Sequence, residues 1–388
     1  MLLRWIAIAL GVVMCLVILF WAYVRFRYRF WASQPVYHIY DLFSKDKGIL
    51  QPHKASSSKH LNRINIRCLR TDTVSDALQQ RVTNFLRTHY NPDYYFPTSL
   101  TSFFQGHGRP CYWSFYTKKN DNDCLLGIIT TRPLHLQLRW RKETLALEVS
   151  YVDFLCVDAL HRRTGIAQQL IETHDYYQRQ RTPEICVSLF KREGVLNPTV
   201  VPLTVLTNNI FCMHAWSSVP PLPPEYRLLA GDKQNMVYVH SFLKTNTSAF
   251  EVIAIPSVSN LIEQTKANQI FVQCLMQGTD ILAVYMFRKT CVYMKPNRQD
   301  EVICLFASVQ GDDDDALFVH GFRCALADIL QKQKKGCAFG YLAIEEIAHN
   351  GKLRASIRTP PSVKNLCAYY FYNFAFHTVD ASKCLIVQ

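Results

Sequence analysis

The sequence predicts an α/β (α+β) body made of two similarly laid out halves, carried behind one N-terminal transmembrane helix. Three observations support that reading. Residues 5–24 (WIAIALGVVMCLVILFWAYV) carry no charge and are numerous enough to cross a bilayer. Beyond them, runs of strand-like composition alternate with runs of helical periodicity. Past the proline-rich segment WSSVPPLPPEYR, residues 216–227, the same alternation returns in a looser form.

Composition sets the limits. A chain of 388 residues is long enough for two domains or one large duplicated one. Hydrophobic residues at 49% and aromatic residues at 13% exclude a disordered protein. Lys and Arg number 43 against 30 Asp and Glu, a formal charge of +13 that favours anionic partners. The basic residues are scattered rather than gathered in a tract, so no nucleic-acid partner is expected. The 14 cysteines form no CxxC pair and no zinc-type spacing. They read as free thiols in a reducing compartment, and no metal is expected.

The elements follow in order. About 20 residues at about 1.5 Å rise span about 30 Å, the thickness of a bilayer core. Trp5 at one end, and Trp21 and Tyr23 at the other, suit the two interfaces. Arg4 precedes the span, and Arg25, Arg27 and Arg29 follow it. Positive flanks stay cytoplasmic, so a single-pass anchor with a cytoplasmic body is expected. Residues 74–89 have helical spacing. Residues 123–140 and 145–157 read as neighbouring strands joined by the charged turn RKET, followed by a helix at 164–180 and a strand at 184–190. In the second copy, 268–277 and 280–288 form a hairpin around Gly278-Thr279, with a further strand at 301–310. A helix lies within 316–336, and a late strand covers 365–374. The run Asp312 to Asp315 reads as a solvated loop. The organisation is thus an anchor and basic flank over 1–27, a first half over 28–215 and a second over 216–388. The apolar ending Cys384-Leu385-Ile386-Val387-Gln388 reads as a last strand buried inside a sheet.

The most informative stretch is YVDFLCVDALHRRTGIAQQLIE, residues 151–172. A strand ending at Val157 leads to Arg162-Arg163-Thr164-Gly165-Ile166-Ala167, an R-x-x-G-x-A turn opening a helix. Free backbone N–H groups, the positive end of the helix and two guanidinium groups suit a pyrophosphate there. With its preceding strand, the turn resembles the coenzyme-A-binding motif of the GCN5-related acyltransferase superfamily. RYRFWASQPV (27–36), VDFLCVDALHRR (152–163) and NLCAYYFYNFAF (365–376) with the ending SKCLIVQ (382–388) resemble, in order, motifs of the N-myristoyltransferases.

That resemblance implies a tandem pair of acyltransferase-like (GNAT-like) halves. It implies transfer of a myristoyl group from myristoyl-CoA to the N-terminal glycine amine of peptides, by a monomer. Tyr28, Arg29, Phe30, Trp31, Cys156, Val157 and the turn Arg162, Arg163, Thr164, Gly165, Ile166 and Ala167 would contact the coenzyme. The backbone N–H groups of Phe154 and Leu155, at a bulge, would form the oxyanion hole. The terminal carboxylate of Gln388 would take the proton from the acceptor amine, and Asp153 stands where the family has asparagine. Asp93, Tyr94, Phe96, Gly194, Asn365 and Leu366 would lie on the peptide side. That side departs most from the family: its acidic loop is reduced to Asp93, and its threonine segment has become FKREGVLNP. The alternatives are an acyl-CoA-dependent transferase with another acceptor or acyl chain, and a non-catalytic binder of acyl-CoA or lipopeptides.

Overall fold

The computed structural model describes residues 2–41, 48–53, 58–90, 100–118, 121–140, 143–294, 300–311, 313–333 and 339–388. The chain opens with α1 (Leu2–Arg27), β1 (Gly48–Ile49), β2 (Ile66–Arg70), α2 (Asp76–His89), α3 (Thr101–Phe104) and β3 (Tyr112–Lys118). The paired strands β4 (Asp121–Trp140) and β5 (Glu143–Val157) lead to α4 (Ile166–Arg181), β6 (Ser188–Glu193) and β7 (Thr204–Cys212). Next come β8 (Tyr226–Ala230), α5 (Met236–Thr245), β9 (Val252–Ile255), α6 (Val258–Lys266), β10 (Ile270–Gln277) and β11 (Asp280–Tyr293). The chain continues through β12 (Glu301–Gln310), α7 (Asp315–Gln333), β13 (Phe339–Glu345), α8 (Asn350–Ala355), β14 (Val363–Tyr372), β15 (Phe374–Ala375) and β16 (Cys384–Ile386).

Most of these strands join one sheet in the order β16-β9-β4-β5-β6-β14-β7-β13-β12-β11-β10-β8, with β3 also on β4 and β2 on β3. The intervals 28–215 and 216–388 are interleaved in it. β7, from the first, lies between β14 and β13 of the second, while β9 and β16 extend the edge of β4. β16 runs parallel to β9, with Leu385 beside Ile253, so the apolar ending is a strand at the end of the sheet, and Cys384 to Val387 are buried there. β6 begins four residues later than 184 because Ile185 N–H still closes a turn onto Thr182 C=O; pairing with β5 starts at Ser150 beside Ser188. It runs on to Glu193 because β14 takes its far end.

Local chemistry explains the elements around the sheet. Ser75 caps α2 by accepting from Leu78 N–H, and the helix buries Val82, Phe85 and Leu86. β12 is buried at every position, as its unbroken run EVICLFASVQ requires of an inner strand covered on both faces. α7 turns Phe318, Phe322, Ala325, Leu326 and Ile329 onto a core with Tyr285, Phe287 and Leu342. Gly321 makes this contact possible, because a Cβ there would lie 2.6 Å from the Tyr285 hydroxyl.

α1 is apolar enough to cross a membrane by length and composition, with mean hydropathy 2.7 over its apolar window. Its last turns already touch the body. Val24 is buried, and the Trp21 ring lies 4.7 Å from that of Tyr40. Every cysteine among the described residues is a free thiol.

Candidate functional site

The site begins where two strands part. β5 and β6 run parallel from Ser150 beside Ser188 to Val152 beside Phe190, and then diverge. β6 continues along β14 as far as Cys367 opposite Glu193, and β5 continues along β4 as far as Gly127 opposite Val157. A wedge opens between them, and the edge of β5 that faces it has no strand partner among the described residues. β5 bulges at the same place. Leu155 faces Ile129 and Val152 faces Thr131, so Asp153 and Phe154 together oppose Thr130.

The bulge decides which amide is free. Asp158 N–H donates to Leu126 C=O at 2.9 Å, and alternation along the antiparallel ladder then turns Cys156 toward β4. The N–H groups of Leu155 and Val157 face the wedge. The Phe154 N–H points the other way and donates to Thr130 Oγ1 at 3.1 Å. Of the two amides expected to form an oxyanion hole, that of Leu155 faces the wedge and that of Phe154 is taken up by Thr130, while the Phe154 ring, packed against Tyr90 and Phe103, lines the adjoining cavity.

Beyond Val157, the chain turns sharply. Arg163 (φ 65°) and Gly165 (φ 91°) both adopt the left-handed conformation, which glycine tolerates far better than other residues. α4 starts at Ile166 with no side-chain cap, leaving the first-turn amides free to meet an anion. Thr164 Oγ1 donates to His161 C=O at 2.6 Å. Arg163 is exposed, whereas the Arg162 guanidinium bends back to the carbonyls of Val157 and His89. Burial pushes the Cys156 thiol up to about 12, so it is an inert packing group.

The segment from Tyr28 to Trp31 reaches the same wedge. Trp31 stacks on Phe190 at 5.8 Å, and Phe190 stacks on Tyr370 at 5.4 Å. Phe190 is the last β6 residue paired with β5, so Trp31 covers the fork itself. Phe30 is buried edge-on to His60, Tyr28 continues the helical path with its N–H on Val24 C=O, and Arg29 is exposed. The Tyr372 hydroxyl donates to Gln34 Oε1 at 2.7 Å and fixes the following residues.

Next to the fork lies a cavity of about 810 Å³ that runs across the sheet from β5 to β11. Arg132, only 2% exposed, places Nε 2.9 Å from Asp153 Oδ1 and 3.1 Å from Oδ2. Burial nevertheless raises the Asp153 pKa, outweighing the guanidinium. Lys191 Nζ lies 3.0 Å from Glu345 Oε1, and Arg288 binds the same oxygen. These cations stand on β6 and β11, five steps apart in the sheet, so the sheet must curl for them to meet. Burial pushes the Glu345 carboxyl up, but Arg288 and Lys191 overcome it and hold the pKa below the ordinary value.

Two of the other expected site residues, Gln388 and Asn365, line this cavity. Gln388 lines it at 7% exposure, its side-chain amide donating to the Tyr369 hydroxyl, while Val387 N–H donates to Ala254 C=O. Asn365 lines it opposite Asn208. Gly194 N–H donates to Leu366 C=O at 2.8 Å, and Leu366 turns its side chain outward. Asp93, Tyr94 and Phe96 lie outside the described residues. Arg132, Lys191, Arg288 and Glu345 were not singled out from sequence. Their signal was a charge set inside otherwise apolar strand text, as in TTRPL, SLFKRE, YMFRK and YLAIEE.

No family model matches the chain, and no curated protein matches it. Solved structures do. N-myristoyltransferase of Saccharomyces cerevisiae with bound myristoyl-CoA superposes with a TM-score of 0.71 at 14% identity, over 93% of this chain and 99% of that one. A second structure of that enzyme with myristoyl-CoA gives 0.71 at 15% identity, over 92% and 94%. A third, with myristoyl-CoA and inhibitors, gives 0.69 at 15% identity, over 91% of each. At such identity the likeness establishes architecture, and the architecture of this chain is the N-myristoyltransferase fold.

Proposed function

We propose that the chain is a membrane-anchored glycylpeptide N-tetradecanoyltransferase, moving a myristoyl group from coenzyme A to the N-terminal glycine amine of peptides. The observation that supports this most is the wedge between β5 and β6. It offers the Leu155 amide beside the uncapped start of α4, in a chain that shares its fold with enzymes solved holding myristoyl-CoA. The segment 28–215 acts as the acyl-CoA half and 216–388 as the peptide half, in a monomer. α1 anchors them with the body facing the cytoplasm, as Arg25, Arg27 and Arg29 favour.

In this reading, the first-turn amides of α4 and Arg163 hold the pyrophosphate, and Trp31 covers the fork. The acceptor amine has a pKa of about 7.7–8.0 and arrives mostly as an ammonium. The α-carboxyl group at Gln388, on the cavity wall, takes its proton, with Asp153, on the same cavity wall, as the alternative base. The neutral nitrogen attacks the thioester carbonyl, and the Leu155 N–H receives the developing oxyanion. The C–S bond then breaks, the amide C–N bond remains, and the coenzyme leaves as its thiol with a proton from the attacking nitrogen.

The test is incubation of the full chain in detergent micelles with myristoyl-CoA and glycine-starting peptides, read by mass. Amide products on free glycine but not on N-acetylglycine are expected. Extending the chain beyond Gln388 by a short tag should lower turnover by about 10²–10⁴-fold while leaving acyl-CoA binding nearly unchanged. Tight acyl-CoA binding with no product on any glycine peptide would refute the transferase and leave a lipid-binding relative.

A further inference from the structure

The apolar span and the fork are joined without a spacer. The helical path of α1 runs on past Arg27, with Tyr28 N–H on Val24 C=O at 2.9 Å and Ala32 N–H on Tyr28 C=O at 3.0 Å. Seven residues at about 1.5 Å rise therefore put Trp31, which covers the fork, about 10 Å beyond the last residue of the uncharged run. The headgroups add about 5–8 Å to each side of a hydrocarbon core, so Trp31 stands near their outer edge. The body also reaches back along the span. Tyr40 meets Trp21, three residues inside the end of the run, and the His38 ring stacks on Tyr40 at 4.5 Å. Fastened on either side of Val24, the body is held against the bilayer rather than tethered to it by a linker.

A second segment, 58–65, extends the same face. The His60 ring lies edge-on to Phe30 at 5.4 Å. Asn62 N–H donates to Thr173 Oγ1 at 2.9 Å, and its side chain donates to Gln169 Oε1 at 2.6 Å, both on the first turns of α4. The segment thus bridges the end of α1 and the helix that follows the phosphate turn. Its tip holds Ile64 in solvent at 83% exposure, next to exposed Arg63. Arg25, Arg27, Lys59 and Arg63 are all exposed, and none is in an ion pair among the described residues. The acids nearby are engaged elsewhere. Glu172 accepts from the Ser58 hydroxyl, Asp41 from His38 N–H, and Asp158 from Leu160 N–H with His161 beside it. Unpaired cations around an exposed apolar tip suit a surface of anionic lipid headgroups.

We infer that the face around the phosphate turn rests on the anionic surface of the membrane that α1 crosses, with Ile64 set among the headgroups, and that acyl-CoA reaches the wedge along that surface. This rests on reading α1 as the anchor and the fork as the donor site. A myristoyl chain partitions into bilayers by itself, so the donor is already concentrated at the surface where the wedge opens.

The full chain is placed in vesicles of phosphatidylcholine with about one-third phosphatidylserine. The photoreactive residue benzoylphenylalanine replaces Ile64 or, as a control, the exposed Thr144. Thr144 lies thirteen residues down β5 from Val157, about 40 Å away. After illumination, mass spectrometry should find lipid adducts at position 64 in about tenfold excess over position 144. Lys59→Glu combined with Arg63→Glu should lower the adducts at 64 by about tenfold, and raising salt from 0.05 M to 0.5 M should lower them too. A fluorescent thioether analogue of myristoyl-CoA is then supplied either in the protein's own vesicles or in protein-free ones. Loading from its own vesicles should be about tenfold faster. Equal adducts at both positions, adducts unchanged by the paired Glu substitutions, or equal loading from the two vesicle populations would each overturn the inference. A chain that carbonate washes off the vesicles would remove the anchor and this inference with it, and no loading from either population would likewise remove the donor site. A chain that stays but gives no adducts at 64 overturns this inference alone. Neither readout needs turnover, so a failed acylation assay would remove the transferase and leave this inference standing.

Discussion

Replacing Gly165 with valine tests the phosphate turn at its most constrained point. Gly165 sits at φ 91°, where a β-branched residue pays about 1–3 kcal/mol of backbone strain. Space within the protein is not the obstacle. A Cβ there would meet only Gln168 Oε1 at 3.4 Å and Gln169 Nε2 at 4.0 Å, both ordinary contacts on flexible side chains. The chain can therefore relieve the strain only by rotating the turn, which swings the first-turn amides of α4 away from the ligand. Each charge-assisted hydrogen bond lost costs about 1.5–3 kcal/mol, so Gly165→Val should weaken myristoyl-CoA binding by about 10–100-fold. Gly165→Asn, whose side chain tolerates the left-handed region, should recover most of that loss. Calorimetry with myristoyl-CoA on the full chain measures all three proteins. Unchanged affinity for Gly165→Val would place the pyrophosphate elsewhere, and an asparagine variant no better than valine would show that backbone conformation is not the cause.

Other consequences concern stability. His174, hydrogen-bonded to Ser114 and Thr131, is pushed down by burial to about 3, and burial first, with nearby cations, lowers His107 and His349 to about 4. All three are neutral when folded and take up protons when unfolded, so their contribution is complete above about pH 6.5 and is lost as pH falls toward those values. At pH 5 the loss should reach about 2 kcal/mol for each, and a urea midpoint equal at pH 7 and pH 5 would contradict it. Glu345→Gln should cost about 3–5 kcal/mol at pH 7, because it leaves the buried Lys191 ammonium and the partly buried Arg288 without their shared carboxylate. Lys191→Met, Glu345→Leu and Arg288→Met combined should cost less than that single change; a larger loss in urea unfolding would refute the desolvation argument. The Glu345 carboxylate stabilises the fold above pH 4.5 and loses that effect as pH falls through its depressed folded value. Gly321→Ala should destabilise by about 1–3 kcal/mol despite its better helix propensity, since the new methyl must displace the buried Tyr285 ring; a raised unfolding temperature would contradict the contact.

Sequence by itself determined the features that depend on short-range pattern. The uncharged run of α1, the strand pair β4 and β5, the α4 turn, the hairpin at Gly278 and the strand β12 all follow from periodicity, from glycine and proline, or from largely apolar text. The resemblance of three ordered motifs pointed to the architecture that the superposition then established. Tertiary structure alone decided what depends on which strands become neighbours. Whether a strand's amides are free is set by where its partner leaves, so the Leu155 N–H was separated from that of Phe154 only once β6 had parted at Phe190 and Thr130 had met the bulge. The charged cavity was hidden for the same reason. Arg132, Lys191, Arg288 and Glu345 lie far apart in sequence, and pairing across a curled sheet brings them onto one cavity wall, where burial turns ordinary surface charges into costly groups that must find partners.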